Sequence, residues 1–254
     1  MKKLFQFGLL LATACCALMS RAGAEEYSTE SRPIDARVVR IKLDGVIDLK
    51  LRQGDTPSLV IKSDKRFTGK VNAVQTGDTL HLDTEGRGFK IGRNSVQAEL
   101  TLPMLREVVS DGVGMTEVAG FTGDELELTL DGAGSMKVAG DYKKLKANLG
   151  GVGSMHLWLS ENDLTQLDLH GAGFINLGGR TKLLRATLGG LGSLNAQQFQ
   201  ADAVNLELSG LGNATVTAKN AATLSLSGLG SVTVYGKPLN REVSVDGLGK
   251  VSWK

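Results

Sequence analysis

The chain has almost no cysteine. Cys15 and Cys16 are the only two among 254 residues, and both stand in an apolar N-terminal segment. The remainder therefore has no disulfide and no thiolate chemistry, and its stability has to come from core packing. Proline is nearly absent from the second half, where only Pro238 occurs, as continuous hydrogen-bonded strands require. Excess charge is missing as well. With Lys2, Lys3 and Arg21 set aside, 26 basic residues face 27 acidic ones, and a net charge of −1 makes nucleic acid a poor partner. The one apolar run, Leu4 to Met19, is short and interrupted by Gln6 and Thr13, which argues against a retained membrane helix.

That run reads instead as a signal segment. Lys2 and Lys3 supply the charged start and Ala22-Gly23-Ala24 the small-residue exit, so cleavage is expected after Ala24. Lipoprotein processing at Cys15, after Ala12-Thr13-Ala14, is the alternative. Residues 25–36 are polar and contain Pro33, and read as a flexible leader.

What the chain has in abundance is glycine at a fixed interval. Eight Gly-x-Gly copies begin at Gly112, Gly132, Gly151, Gly171, Gly190, Gly210, Gly228 and Gly247, with gaps of 18 to 20 residues. A period that steady marks a stacked array whose units bury their apolar sides against each other. Two apolar residues at alternate positions precede each copy, such as Leu128 and Leu130, Leu167 and Leu169, or Val243 and Val245. The residue between the glycines is always apolar: Val113, Ala133, Val152, Ala172, Leu191, Leu211, Leu229, Leu248. Two more inward positions follow, as in Met136 and Val138 or Ile175 and Leu177. Strict alternation excludes helices, which need spacings of three and four. Each unit reads as strand, glycine corner, strand and a looser return. Glycine at both flanks of the corner suggests backbone angles that a side chain would forbid.

The expected fold is all-β: a single-chain parallel β-helix of about eight coils, 19–20 residues each, over residues 111–254. At ~4.8 Å per coil the rod is roughly 38 Å long. Residues 37–110 form an N-terminal strand region, with alternating runs at 38–43, 46–51, 59–62, 80–83 and 96–102. These strands cap or extend the stack and hide its edge.

Outward positions support the stacking. Asp124, Lys143, Asp163, Lys182 and Asp202 stand eight residues before successive corners and stack into a ladder of alternating charge. A looser ladder runs Glu127, Lys146, Gln166, Arg185. Slipping by one coil would bring like charges together, so the lysines read as register markers ahead of an anion site.

The order of features resembles the head-GIN domain family of putative autotransporter adhesins. The likeness rests on Val46 to Gly54 (VIDLKLRQG), Glu99 to Leu105 (ELTLPML), Asp111-Gly112-Val113-Gly114, and the Leu-Ser-Gly-Leu-Gly repeated at 208–212 and 226–230. It covers about residues 38–254. The resemblance implies a right-handed parallel β-helix exported to the periplasm or cell surface with an adhesive role, and it carries no catalytic residues to transfer. An autotransporter also needs a long C-terminal membrane barrel, whereas Lys254 falls inside the last coil.

Candidate sites follow from side chains that the repeat does not explain. A phosphate-binding glycine loop needs a helix after its glycines, and here strands follow. Calcium-binding nonapeptides need an aspartate after every corner. The residues found there are Met115, Ser135, Ser154, Phe174, Ser193, Asn213, Ser231 and Lys250. Asp111 and Asp131 could share a cation or hydrogen-bond their turns. His81, His156 and His170 are not brought together with carboxylates, and no serine is marked out for a catalytic set. No cofactor is expected. Trp158 and Tyr235 hold the same position in coils four apart and point outward, either to stack on sugar rings or to lie under the return. Trp253 falls at an inward position and would plug the end of the stack. The leading expectation is a non-enzymatic binding module. It would present one face to an envelope or extracellular polymer, glycan or protein. A rod associating end to end is the second reading, and a carbohydrate-active β-helix enzyme the third. The short returns leave little from which to build a cleft.

Overall fold

The computed structural model describes residues 27–64, 71–84 and 96–254, and structural statements below concern these. The signal segment over 1–24 and the Cys15 alternative lie outside them. The described chain is all-β. Its strands are β1 (Tyr27–Arg32), β2 (Arg40–Leu43), β3 (Ile47–Gln53), β4 (Ser58–Asp64), β5 (Val71–Thr76), β6 (Thr79–Thr84), β7 (Val96–Leu102) and β8 (Glu107–Ser110). The long strands β9 (Val113–Leu130), β10 (Ala133–Leu149), β11 (Val152–Leu169), β12 (Ala172–Leu188), β13 (Leu191–Leu208) and β14 (Leu211–Leu226) follow. The last are β15 (Leu229–Tyr235), β16 (Asn240–Val245) and β17 (Lys250–Trp253).

From β9 to β14 each coil is one long strand, pairing in parallel with the coils beside it. Eight corners bound a solenoid of about seven turns, one fewer than the number of glycine pairs suggests. The looser return expected between strands is a bend inside the strand. Register shifts collect there, between Gly140 and Lys144 or between Leu159 and Asn162. Variation in repeat length is thus absorbed at the bend, and the corners stay aligned. Only the last turn breaks into two strands, β15 and β16.

The corner glycines answer to packing more than to backbone angle. Among them only Gly114 has a positive φ, at 153°. A Cβ on Gly132 would sit 1.9 Å from the carbonyl oxygen of Gly112, and one on Gly171 2.0 Å from that of Gly151. Successive corners press backbone on backbone, and no side chain fits between them. Left-handed glycines occur instead at the bends, with Gly120 at 81° and Gly179 at 117°.

The intervening apolar residue, which the alternation suggests is inward, points out. Val152, Leu191, Leu211 and Leu229 are each more than half exposed and align rung upon rung. With both flanking glycines turned against the neighbouring coil, the side chain between them has only the convex side of the corner available.

The core is a set of stacked columns. In one, Leu128, Ala147, Leu167, Ala186 and Leu206 are in register and buried, large alternating with small. Each fully buried leucine contributes about 1.5–3 kcal/mol. Phe121, Tyr142 and Phe199 fill the wider space inside the bends. The Tyr142 hydroxyl donates to the Leu105 carbonyl at 3.0 Å, and burial pushes its phenol pKa above the ordinary value.

At the N-terminal end β3 pairs with the first part of β9, and β8 with the last part. Both flanks of the solenoid therefore continue into the early strands. They finish antiparallel, one through β7, β4 and β1, the other through β2, β6 and β5. Within the stretch expected as a flexible leader, Tyr27–Arg32 form strand β1, paired along its whole length with β4.

Candidate functional site

Each coil has a leading half, between a corner and the bend, and a trailing half, between the bend and the next corner. Their outer surfaces differ in chemistry. Around the bend and along the trailing half, Lys143 Nζ lies 2.7 Å from Asp124, Lys182 Nζ 2.6 Å from Asp163, and Lys146 Nζ 2.7 Å from Glu127. The Lys143 ammonium holds the Asp124 carboxyl below its usual value, and Lys182 does the same for Asp163. The ladder from Asp124 to Asp202 is organised in pairs, and Asp202 meets Lys219 at 4.0 Å, a rung that the spacing argument omitted. A groove of about 460 Å³ lies below, against Glu107, Asp124 and Glu127. Arg40 enters it and bridges Glu107 at 3.2 Å and Asp78 at 3.3 Å. These charges are occupied with one another.

The leading halves are different. Residues 152–159, 172–179, 191–198, 211–218 and 229–235 contain no Asp, Glu, Lys or Arg. On this neutral surface Trp158 is 55% exposed, so the return does not cover it. Its partner in register on the next coil is Gly178. The six-membered ring lies over that glycine, where a Cβ would come within 2.2 Å of two ring carbons. Gly178 is buried beneath the indole, which is thereby held against the sheet with its other side in solvent.

A groove of about 420 Å³ runs beside the ring, lined by His156, Asn176, Asn195, Gln197 and Gln198. The Asn176 side-chain amide lies 3.3 Å from His156 Nδ1, within hydrogen-bonding distance. Phe174, 40% exposed, meets the same imidazole edge to face at 5.4 Å. The far wall is a β-bulge: Asn176 pairs with Asn195 but Gly178 with Gln198, so β13 carries one extra residue. Asn195 Oδ1 accepts from the Gln197 backbone N–H at 3.2 Å and steadies the bulge. Bulges re-aim side chains, and this one places two glutamines beside the indole.

Other expected residues stand elsewhere. Tyr235 is half-buried with Lys254 Nζ 5.6 Å from its ring, four coils from Trp158. Trp253 packs partly against the core with the Arg241 guanidinium 4.5 Å from its ring centre. Contrary to the expectation that the histidines stand apart from carboxylates, His81 contacts Asp44, and His170 lies 3.5 Å from Asp168. The Asp131 carboxylate leans over Gly150. Among the described residues no three His, Cys, Asp or Glu side chains group as metal ligands. No helix of the described residues is long and apolar enough to cross a membrane. The arrangement at Trp158 suits non-covalent recognition: a planar apolar surface rimmed by amides that both donate and accept. Sequence reasoning singled out Trp158 but missed Gly178, the bulge and the amides. The signal available was the aligned glycine one repeat on and the run of uncharged leading halves.

The family described as "Putative auto-transporter adhesin, head GIN domain" matches over residues 39–238. Three solved structures share the fold. A putative adhesin from Parabacteroides merdae is 23% identical with a TM-score of 0.79, covering 91% of this chain and 98% of that one. Two proteins from Parabacteroides distasonis are each 20% identical with a TM-score of 0.76. One, a putative adhesin, covers 91% of this chain. The other, a putative lipid binding protein, covers 90%, and each alignment spans 98% of the relative. No curated protein matches the chain.

Proposed function

We propose, from the premise that this chain belongs to the head GIN domain family of putative auto-transporter adhesins, that it is an exported, non-enzymatic binding module. It presents one face of a rigid solenoid to an envelope or extracellular polymer. The observation that carries this reading is the contrast between the halves of each coil. Several trailing-half charges pair between coils, as Lys143 does with Asp124, Lys146 with Glu127 and Lys182 with Asp163, while five successive leading halves are uncharged and among them display Trp158 and Phe174. A long, flat and regular surface of this kind suits an extended partner. Export rests on the signal segment over 1–24.

Two measurements test it. Fractionated cells are expected to hold the protein outside the cytoplasm, with a mature chain that begins at Glu25. A mature chain that begins at a lipid-modified Cys15 would move the anchor to the membrane. The purified protein is expected to bind isolated envelope or extracellular polysaccharide saturably. Absence of saturable binding to any envelope component would sink the reading.

A lipid-binding reading has one observation in its favour. Leu191, Leu211 and Leu229 form an exposed ridge beside a glycine- and serine-floored trough of about 350 Å³, along which an alkyl chain could lie. A Leu211→Ser variant separates the two readings, since it should weaken fatty-acid binding and leave polysaccharide binding intact.

A further inference from the structure

We infer that Trp158 and Gly178 form the stacking platform of a sugar subsite, whose ligand is a neutral pyranose within an extended glycan. This rests on the binding-module reading above and names the ligand class of its working face. A pyranose offers an apolar C–H face and a rim of hydroxyls. Its counterpart is a planar apolar ring with neutral hydrogen-bonding groups at its edge, and β11 to β13 place that combination together.

The indole is held in place. It rests on the bare backbone of Gly178, so little rotamer freedom remains to be lost when a ring stacks on its solvent side. The glycine beneath the indole removes the one side chain that would tilt it away.

The rim matches hydroxyls in both roles. Asn176, Asn195, Gln197 and Gln198 each carry a donor and an acceptor, and the His156 imidazole lines the same groove. Asn176 and Asn195 already spend one group each on His156 and on the bulge, which orients what remains. No charged side chain lines the groove, and this selects a neutral sugar over a uronate or sulfate ester, whose charge would be desolvated without a counter-ion. The nearest lysine along the sheet, Lys137, is opposite His156 on the preceding coil and marks the boundary of the neutral surface. A glycan running along the rod would set successive rings over successive coils and meet Ser, Thr and Asn side chains on β13 to β15.

The test is a titration of the purified protein with neutral gluco- and N-acetylglucosamine oligosaccharides, with polygalacturonate as the acidic counterpart. It is read by tryptophan fluorescence in a Trp253→Phe background, so that Trp158 alone reports. A neutral oligosaccharide is expected to change the Trp158 emission saturably, with an affinity little altered from low to molar salt. Trp158→Ala, followed by calorimetry, should weaken binding about tenfold. Gly178→Ala keeps the indole but displaces it, and should weaken binding by a similar factor. Trp158→Tyr should recover part of the affinity. Saturable envelope binding that neither variant changes would overturn this subsite and leave the binding-module reading standing. So would affinity for polygalacturonate alone, or affinity abolished by salt. No saturable binding to oligosaccharide or envelope polymer would remove both.

Discussion

The two halves of each coil are built from the same strand, stacked with the same spacing and sealed by the same core, yet they use their outer surfaces differently. The trailing half carries acids and bases, several of which neighbouring coils neutralise, as Lys143 does for Asp124 and Lys182 for Asp163. The leading half of β11 to β15 carries none. A parallel stack repeats every outward position at one-coil intervals, so a charge there is favoured by an opposite charge on the adjacent rung and disfavoured by a like one. Where that pairing is made, the charges hold the register and are spent. Where charge is left out, the surface stays open to another molecule. Alternating charge along a solenoid thus serves its own register, and the uncharged rungs are where we place the proposed binding face.

The largest effect is expected where the halves join. Gly171→Ala places a Cβ 2.0 Å from the Gly151 carbonyl oxygen, and the coil cannot close without separating from its neighbour. A loss of about 3 kcal/mol is expected by urea denaturation, with glycan binding weakened too, because Trp158 and Gly178 lie on the adjoining coils. A stability equal to that of the parent would mean that the corners tolerate separation.

A smaller effect sharpens the comparison from the charged side. Lys143→Glu sets three acids in line, Asp124, Glu at 143 and Asp163. It should lower the urea midpoint slightly at low salt and recover as salt is raised. Binding at Trp158 should not change. Loss of binding would show that the two faces are coupled.

Smallest is the pH dependence. Asp124 and Asp163 have folded-state values below the usual 3.8, from hydrogen bonds to Lys143 and Lys182. A lowered folded value means that the carboxylates favour folding above about pH 4, and that this is lost as the pH falls through the folded value. The lysines are raised from 10.5, so their share is present below that value and lost as the pH climbs past the folded one. All four side chains are exposed, so solvent screens the pairs and the contribution is modest. Combining Asp124→Asn with Asp163→Asn should flatten the acid limb of the urea midpoint plotted against pH, and an unchanged limb would assign acid sensitivity elsewhere.

Much of the fold was legible in the residues, because the repeat period and apolar alternation report directly on stacking and burial. Leu128, Leu130, Met136 and Val138 are inward as the alternation implies. The reasons for glycine were less legible. Gly132 and Gly171 are needed because a carbonyl oxygen of the previous coil lies where a side chain would begin, and that contact joins residues about one repeat apart. The leucine ridge was hidden for the same reason: an apolar residue between two glycines reads as core until the corner is seen to turn it outward. Strand β1 was missed because Ser28, Thr29, Glu30 and Ser31 are polar, and their strand state comes from pairing with β4. At Trp158 the outward direction could be read from alternation, but the floor and the far wall could not.

By itself the sequence determined the all-β class, the coil length, the inward columns and the stacking of opposite charges, since each follows from spacing along one chain. The tertiary structure alone decided that the return is a bend within a strand, that the corner side chains face solvent, and that Trp158 rests on Gly178 beside a bulge of glutamines. Those outcomes depend on which atoms of neighbouring coils compete for the same space, and that competition appears only when the coils are stacked.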